Sequence, residues 1–307
     1  MPQIASHDQV RDSRSQRDVP GGHHVRRTDF IAAPADRPEL PQAFLIESTP
    51  GHHLRTHFHE VDQFQVVVGG GGTLAKHVVA PPGVHFARRF TPYGPLINGA
   101  GGIQFFTLRA CRDPGRAQFI PDRRERLDEI PDRKPWQVTA LPDFTPAPRP
   151  EGVALNPIPG VSNGQGLGAW TLVMAAGGTT TLPDPSAGDG QYVLVLQGSL
   201  LHGGRDYPGY SVMWVEPGEG AQAVCAGVQG LEALVLNFPA RDQPPVPARL
   251  HAAGEAWHCT LCDFVYDEAA GLPAYGIAPG TPWSQVPADF TCPDCAAGKD
   301  GFDKLAL

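Results

Sequence analysis

Short apolar runs broken by turn residues dominate this chain. Phe44-Leu-Ile-Glu47 and Gln63-Phe-Gln-Val-Val-Val68 read as β-strands, and Gly69-Gly-Gly-Gly72 is expected to break the chain after the second. Thr73 to Val79 and Val84 to Phe90 flank Ala80-Pro-Pro-Gly83, a hairpin-like turn, and Ile103 to Arg109 is a further strand. A similar series follows at Ala169 to Ala175, Gln191 to Leu196, Ser211 to Val215 and Leu231 to Phe238. Two consecutive all-β units of roughly 100 residues each are the simplest account of this rhythm. Residues 1–27 are polar throughout and read as a flexible tail. Residues 28–121 and 151–240 are the two β units. The charged, Pro-rich stretch 122–150 reads as their linker, and 241–253 as a Pro-rich tether to a last unit, 254–307.

Composition agrees with short strands and turns: 36 Gly and 33 Pro stand against 3 Met. No apolar run approaches the roughly 18 residues of a membrane span, and the N-terminus has no apolar signal region, which points to the cytoplasm. A net charge of −8 argues against non-specific nucleic-acid binding. Residues 254–307 hold eight acids against two lysines and no arginine. Such a surface suits a basic docking patch on a partner, or serves solubility alone.

Candidate chemistry sits at both ends of the chain. Cys259-Thr-Leu-Cys262 and Cys292-Pro-Asp-Cys295 are two tight turns that each bring two sulfurs to one side. Facing each other, they make a four-thiolate cage suited to iron or zinc. Around them stand Tyr266-Asp267, Gly276-Ile-Ala-Pro-Gly-Thr-Pro-Trp283, Pro287-Ala-Asp-Phe290, Lys299 and Phe302. This segment resembles rubredoxin, the one-iron electron-transfer module; the other reading is a structural zinc ribbon. The resemblance implies iron at Cys259, Cys262, Cys292 and Cys295, a small aromatic core of Trp257, Tyr266, Trp283, Phe290 and Phe302, and an electron-donating partner such as a rubredoxin reductase. Rubredoxins usually place glycine after each cysteine pair; here Asp263 and Ala296 stand there.

In the first β unit, Gly51-His-His-Leu-Arg-Thr-His57-Phe-His59-Glu-Val-Asp-Gln63 is followed by Gly70. Strand alternation turns His57 and His59 to one side, a two-imidazole metal mount. The pattern resembles the first motif of the cupin superfamily, with Gln63 where a glutamate is usual. The fold class expected is therefore mainly β: two tandem cupin-like barrels followed by a small rubredoxin-like iron-binding domain. The resemblance implies a third histidine. Ile97 occupies one candidate place for it, so His85 is preferred, with His77 in reserve. The barrel metal would be a second divalent ion, iron first, with zinc, manganese, nickel or copper behind it. His85 shares strand parity with Arg89, which would then line the cavity and bind an anionic substrate; solvent exposure is the plainer reading for Arg88, Arg89 and Arg109. The second barrel has no histidine at the equivalent place and reads as a structural partner.

Together these features suggest a metal-dependent oxidoreductase or oxygenase acting on a small organic molecule, with its electron carrier attached. The competing reading is a non-catalytic electron-transfer or redox-sensing protein whose barrels bind a small ligand or a protein partner.

Overall fold

The computed structural model describes residues 2–114, 117–130, 132–144, 152–241, 255–259, 264–293 and 297–304. Two antiparallel sheets make up most of them. The first runs in space through Gln137–Ala140, Gly83–Ala87, Gln63–Leu74, Leu96–Arg109, Gln42–Ser48, His23–Ile31 and Ser15–Val19. The second runs through Gln3–Ala5, Val212–Val215, Gly188–His202, Ala223–Pro239, Gly168–Met174 and Val153–Ser162. A small third sheet joins Val265–Asp267, Ala256–Cys259 and Phe302–Lys304. Among the described residues no helix is long and apolar enough to cross a membrane.

Period-two alternation decides what each central strand offers to either side. Phe64 and Val66 on one strand, and Phe106 and Leu108 on its neighbour, face the second barrel. There they meet Tyr192, Trp214 and Phe238, with the Phe64 and Phe238 rings edge-on at 5.1 Å. Each such ring contributes about 1.5–3 kcal/mol by leaving water. Tyr192 Oη also donates to the Arg109 carbonyl at 3.0 Å, tying the barrels at the strand that carries the candidate site. The intervening residues Gln63, Gln65, Thr107 and Arg109 face the interior of the first barrel. The second barrel's interior is filled by Leu172, Val193, Met213, Val235 and similar side chains, and no histidine is among its buried described residues.

Several sequence expectations need correction here. The first 27 residues are not a flexible tail. Gln3–Ala5 pairs with Val212–Val215 of the second barrel, while Ser15–Val19 and His23–Ile31 form a hairpin on the first. The first barrel thus begins ahead of residue 28. The expected linker 122–150 contains a short helix, Arg124–Asp128, and the strand Gln137–Ala140, which pairs with Gly83–Ala87. Nor do the four glycines break their strand, which continues to Leu74. They let two backbones approach: Gly70 has φ +64°, and a Cβ there would stand 2.1 Å from the Gly102 carbonyl oxygen. Of the expected tether 241–253, all but Arg241 lies outside the described residues.

Candidate functional site

The first barrel encloses a cavity of about 640 Å³. His57 and His59 lie in its wall, with ring centroids 5.2 Å apart and planes at 89°. Both come from the chain around the short strand His57–Phe58, which pairs with Gln118–Phe119. The His57 Nδ1–H donates to the Arg55 carbonyl at 2.9 Å, leaving its Nε2 lone pair unused by that bond. His59 Nδ1 lies 2.6 Å from Asp113 Oδ2, a separation that requires a proton between them, so the Nε2 of neutral His59 also carries a lone pair. Burial pushes His57 down to about 3, with His59 and Arg109 adding to the shift. Burial and then Arg109 lower His59, while Asp113 opposes them. Both imidazoles are therefore neutral at pH 7.

Arg109 dominates the charge of this wall. It was expected at the surface, but only 5% of it is exposed. Its Nε and Nη2 donate to Gln63 Oε1 at 3.1 and 2.9 Å, and its Nη1 donates to Gln42 Oε1 at 3.0 Å. Nη1 lies 3.4 Å from Asp113 Oδ2 and Nη2 3.1 Å from His59 Nδ1. Gln63 completes the network by donating from Nε2 to Tyr93 Oη. Gln63 is thus bound to a buried guanidinium rather than presented to the cavity. Burial pulls Arg109 below its ordinary value, and Asp113 is the main influence holding it charged.

The remaining expected ligands do not converge. His85 Nδ1 contacts Thr139 Oγ1 at 2.9 Å, and the Tyr93 ring lies 5.0 Å from His85 and 4.6 Å from His57. The His85 Nε2 is buried without a hydrogen-bond partner, and His85 opens on a separate small cavity beside Val67 and Leu74. Arg89 does not line the main cavity: its Nη2 donates to the Arg241 carbonyl and its backbone N–H to Asp62. The strand ends at Ala87, so its alternation does not reach residue 89. Among the described residues no group of three or more His, Cys, Asp or Glu side chains is placed to hold a metal. A dication beside the two imidazoles would also feel a buried guanidinium. The residues present therefore do not fit the expected set of His57, His59, Gln63 and His85.

The C-terminal cage has the opposite character. The Cys259 N–H donates to the Phe264 carbonyl at 2.9 Å, and the Cys292 N–H to the Ala297 carbonyl at 2.7 Å. Two matched loops are thus closed five residues past each leading cysteine, and both cysteines are buried. Cys262, Asp263, Cys295 and Ala296 lie outside the described residues. Tyr266, Trp283, Phe290 and Phe302 pack as an aromatic core, and Trp257 stacks on Trp283 at 5.2 Å. Buried paired loops in an aromatic shell fit a thiolate-bound iron.

This small domain is docked on the first barrel. Phe58 and Leu127, neither with exposed surface, belong to one apolar cluster with Cys259, Cys292, Trp283 and Phe302; Phe90 and Ile120 pack against it. Lys76 Nζ stands 4.9 Å from the centroid of the Phe264 ring. Burial lowers Arg133 while the nearby Asp128 and Cys259 act against that shift. Phe58 was not singled out in the sequence, although the alternation that turns His57 inward turns Phe58 outward.

Comparisons with known proteins follow the same division. The rubredoxin family model matches residues 256–302. Rubredoxin-1 of Alcanivorax borkumensis is 55% identical over 51 residues, which cover 17% of this chain and 94% of that protein. The anaerobic nitric oxide reductase flavorubredoxin homolog of Escherichia coli O157:H7 is 53% identical over 53 residues, which cover 17% of this chain but only 13% of that protein. In the barrels the likeness is one of fold. A putative dioxygenase from Nostoc punctiforme covers 80% of this chain, and 85% of its own, with a TM-score of 0.52 and 11% identity. The Escherichia coli pirin YhhW in complex with nickel(II) covers 78% of this chain and 100% of its own, with a TM-score of 0.50 and 9% identity. A mutant oxalate decarboxylase of Bacillus subtilis covers 79% and 78%, with a TM-score of 0.50 and 12% identity. The N-terminal part accordingly has the bicupin fold, and through its C-terminal iron-binding domain the chain belongs to the rubredoxin family.

Proposed function

We propose that the chain is an oxidoreductase in which the rubredoxin centre exchanges electrons with a small organic molecule held in the first-barrel cavity. The observation that carries this reading is Phe58, fully buried in the apolar cluster that also contains Cys259 and Cys292. Its chain neighbour His57 lines the cavity. One dipeptide therefore joins the two sites. Iron held by Cys259, Cys262, Cys292 and Cys295 would supply one-electron transfer with little change of geometry. The apolar contact around Phe58 excludes water from the space between the sites. His59 offers an Nε2 lone pair that can take a proton from the bound molecule, with Asp113 behind it to stabilise the resulting imidazolium, while His57, held near about 3 by burial, accepts a hydrogen bond there without taking the proton. An outside electron donor, such as a rubredoxin reductase, would meet a domain whose exposed acids include Asp289, Asp300 and Asp303.

The second reading is a redox-sensing or ligand-binding protein without turnover. The engagement of Gln63 by Arg109 supports it, since the Gln63 oxygen is then taken up by a guanidinium rather than offered to a metal. Anaerobic stopped-flow separates the two. Dithionite-reduced full-length protein is mixed with 1,4-naphthoquinone, and return of the red ferric-thiolate colour is followed. The oxidoreductase reading predicts a rate that saturates with quinone and falls about tenfold in Phe58→Leu, a loosened contact of about 1.4 kcal/mol in barrier. A rate linear in quinone and equal in both proteins would place electron exchange at the domain's outer surface and favour the second reading.

A further inference from the structure

We infer that the first-barrel cavity is a binding site for an organic anion, an aryl carboxylic acid whose far end carries a hydroxyl, with its carboxylate at Arg17. The inference rests on the proposed function only for the location of the site. The N-terminal hairpin closes one side of the cavity and brings Arg17 and Arg27 into its lining beside Arg109. Their commitments differ. Arg27 pairs with Asp29 at 2.6 Å and lies 3.7 Å over the Phe44 ring. Arg109 is committed to Gln63 through Nε and Nη2, to Gln42 through Nη1, and to Asp113 as its ion-pair partner. Arg17 has no carboxylate partner among the described residues. The acids near the mouth are already taken: Glu47 by Arg14 at 2.6 Å, and Asp18 by His24 at 2.7 Å. Asp113, the carboxylate in the lining, is held by Arg109 and His59. The mouth therefore has an uncompensated guanidinium, which recognises carboxylate with two parallel hydrogen bonds.

The body of the ligand follows from the walls. Phe44, Ile46, Leu54, Leu96, Phe105 and Phe119 line the cavity, an apolar and partly aromatic surface. A volume near 640 Å³ lies within the range of about 300–1,000 Å³ typical of small-molecule sites and accommodates one or two fused rings. Within the same wall, the Nε2 atoms of His57 and His59 are acceptors, since their Nδ1 protons are committed to Arg55 and Asp113. An acceptor pair at the reactive end calls for a donor on the ligand, which a hydroxyl supplies. A divalent cation would find none of this complementarity: the mouth is cationic and the floor is flanked by Arg109.

Isothermal titration calorimetry of the oxidised full-length chain with 6-hydroxy-2-naphthoate tests the assignment, with 6-hydroxy-2-naphthamide as the neutral comparator. Neither probe accepts electrons from the iron, so the result is independent of the stopped-flow experiment. The acid is expected to bind about five- to tenfold more tightly than the amide, as one charge-assisted contact requires. Arg17→Gln should bring the acid to the level of the amide and leave the amide unchanged, and Arg17→Lys, which keeps the charge but not the paired hydrogen bonds, should restore only part of the difference. Arg17 lies exposed on an edge strand, so these variants keep the fold. Equal affinity for acid and amide in the wild type, or equal weakening of both by Arg17→Gln, would overturn the proposal.

Discussion

Replacing Arg109 with methionine removes the cation around which the first barrel's polar interior is arranged. The guanidinium is 5% exposed and Asp113 is 6% exposed, so the change leaves a buried carboxylate without its main counter-charge. Breaking one partner of a buried pair costs about 3–5 kcal/mol. The Gln63 and Gln42 amide oxygens also lose their donors, each worth about 1–3 kcal/mol when left buried. These penalties overlap, so a total of about 4–6 kcal/mol is expected. Adding Asp113→Asn removes the stranded charge and should recover about 2 kcal/mol, a coupling typical of residues in one network. The penalty should also shrink at low pH. Without Arg109, His59 loses a repulsive neighbour and keeps Asp113, so its lowered folded pKa moves back up and less stability is lost to its protonation as pH falls. Urea denaturation of the barrels, followed by near-ultraviolet circular dichroism at pH 8 and pH 5, measures all three quantities. A loss under about 1 kcal/mol in Arg109→Met, or additivity of the two substitutions, would refute the network as described.

Two further outcomes follow from groups already described. His57 and His85 are both held near about 3 by burial, against an ordinary value of 6.5 in the unfolded chain. Between those values the unfolded state binds more protons, so stability is complete above pH 6.5 and falls as pH drops toward 3; from pH 8 to pH 5 the loss should be about 4 kcal/mol, about half of it removed by His85→Gln, as urea titration would show. Oxidised protein should be red from thiolate-to-iron charge transfer and bleach with dithionite, and Cys292→Ser should abolish or strongly shift that band in the visible spectrum while leaving barrel circular dichroism unchanged.

The parts of this molecule legible in sequence are those whose signal is local. The cysteine pairs declare themselves because both sulfurs of a turn sit within four residues. The His57 and His59 parity needs only a strand two residues long. Arg109 stayed hidden because its strand is apolar on both faces: Phe105 points into the cavity and Phe106 toward the second barrel, so alternation offers no reference. The N-terminal hairpin was missed for a related reason. Ser15–Val19 is an edge strand whose residues are almost all exposed, and it carries no apolar pattern to distinguish it from a tail. Gly70 shows a third limit, since the same residue that ends many strands here permits a close approach between two of them. Docking of the small domain through Phe58 and Leu127 depends on contacts between distant segments, which no local pattern encodes.

Metal content of the full-length protein tests the account most directly. Protein from cells supplied with iron, zinc, manganese and nickel would be analysed by mass spectrometry beside the double variant His57→Ala with His59→Ala. A buried guanidinium holding Gln63, and a His85 turned toward Thr139, predict one iron per chain in both proteins and no second metal in either. Two metals per chain in the wild type, with one lost from the double variant, would contradict the account and restore the first barrel as a metal site.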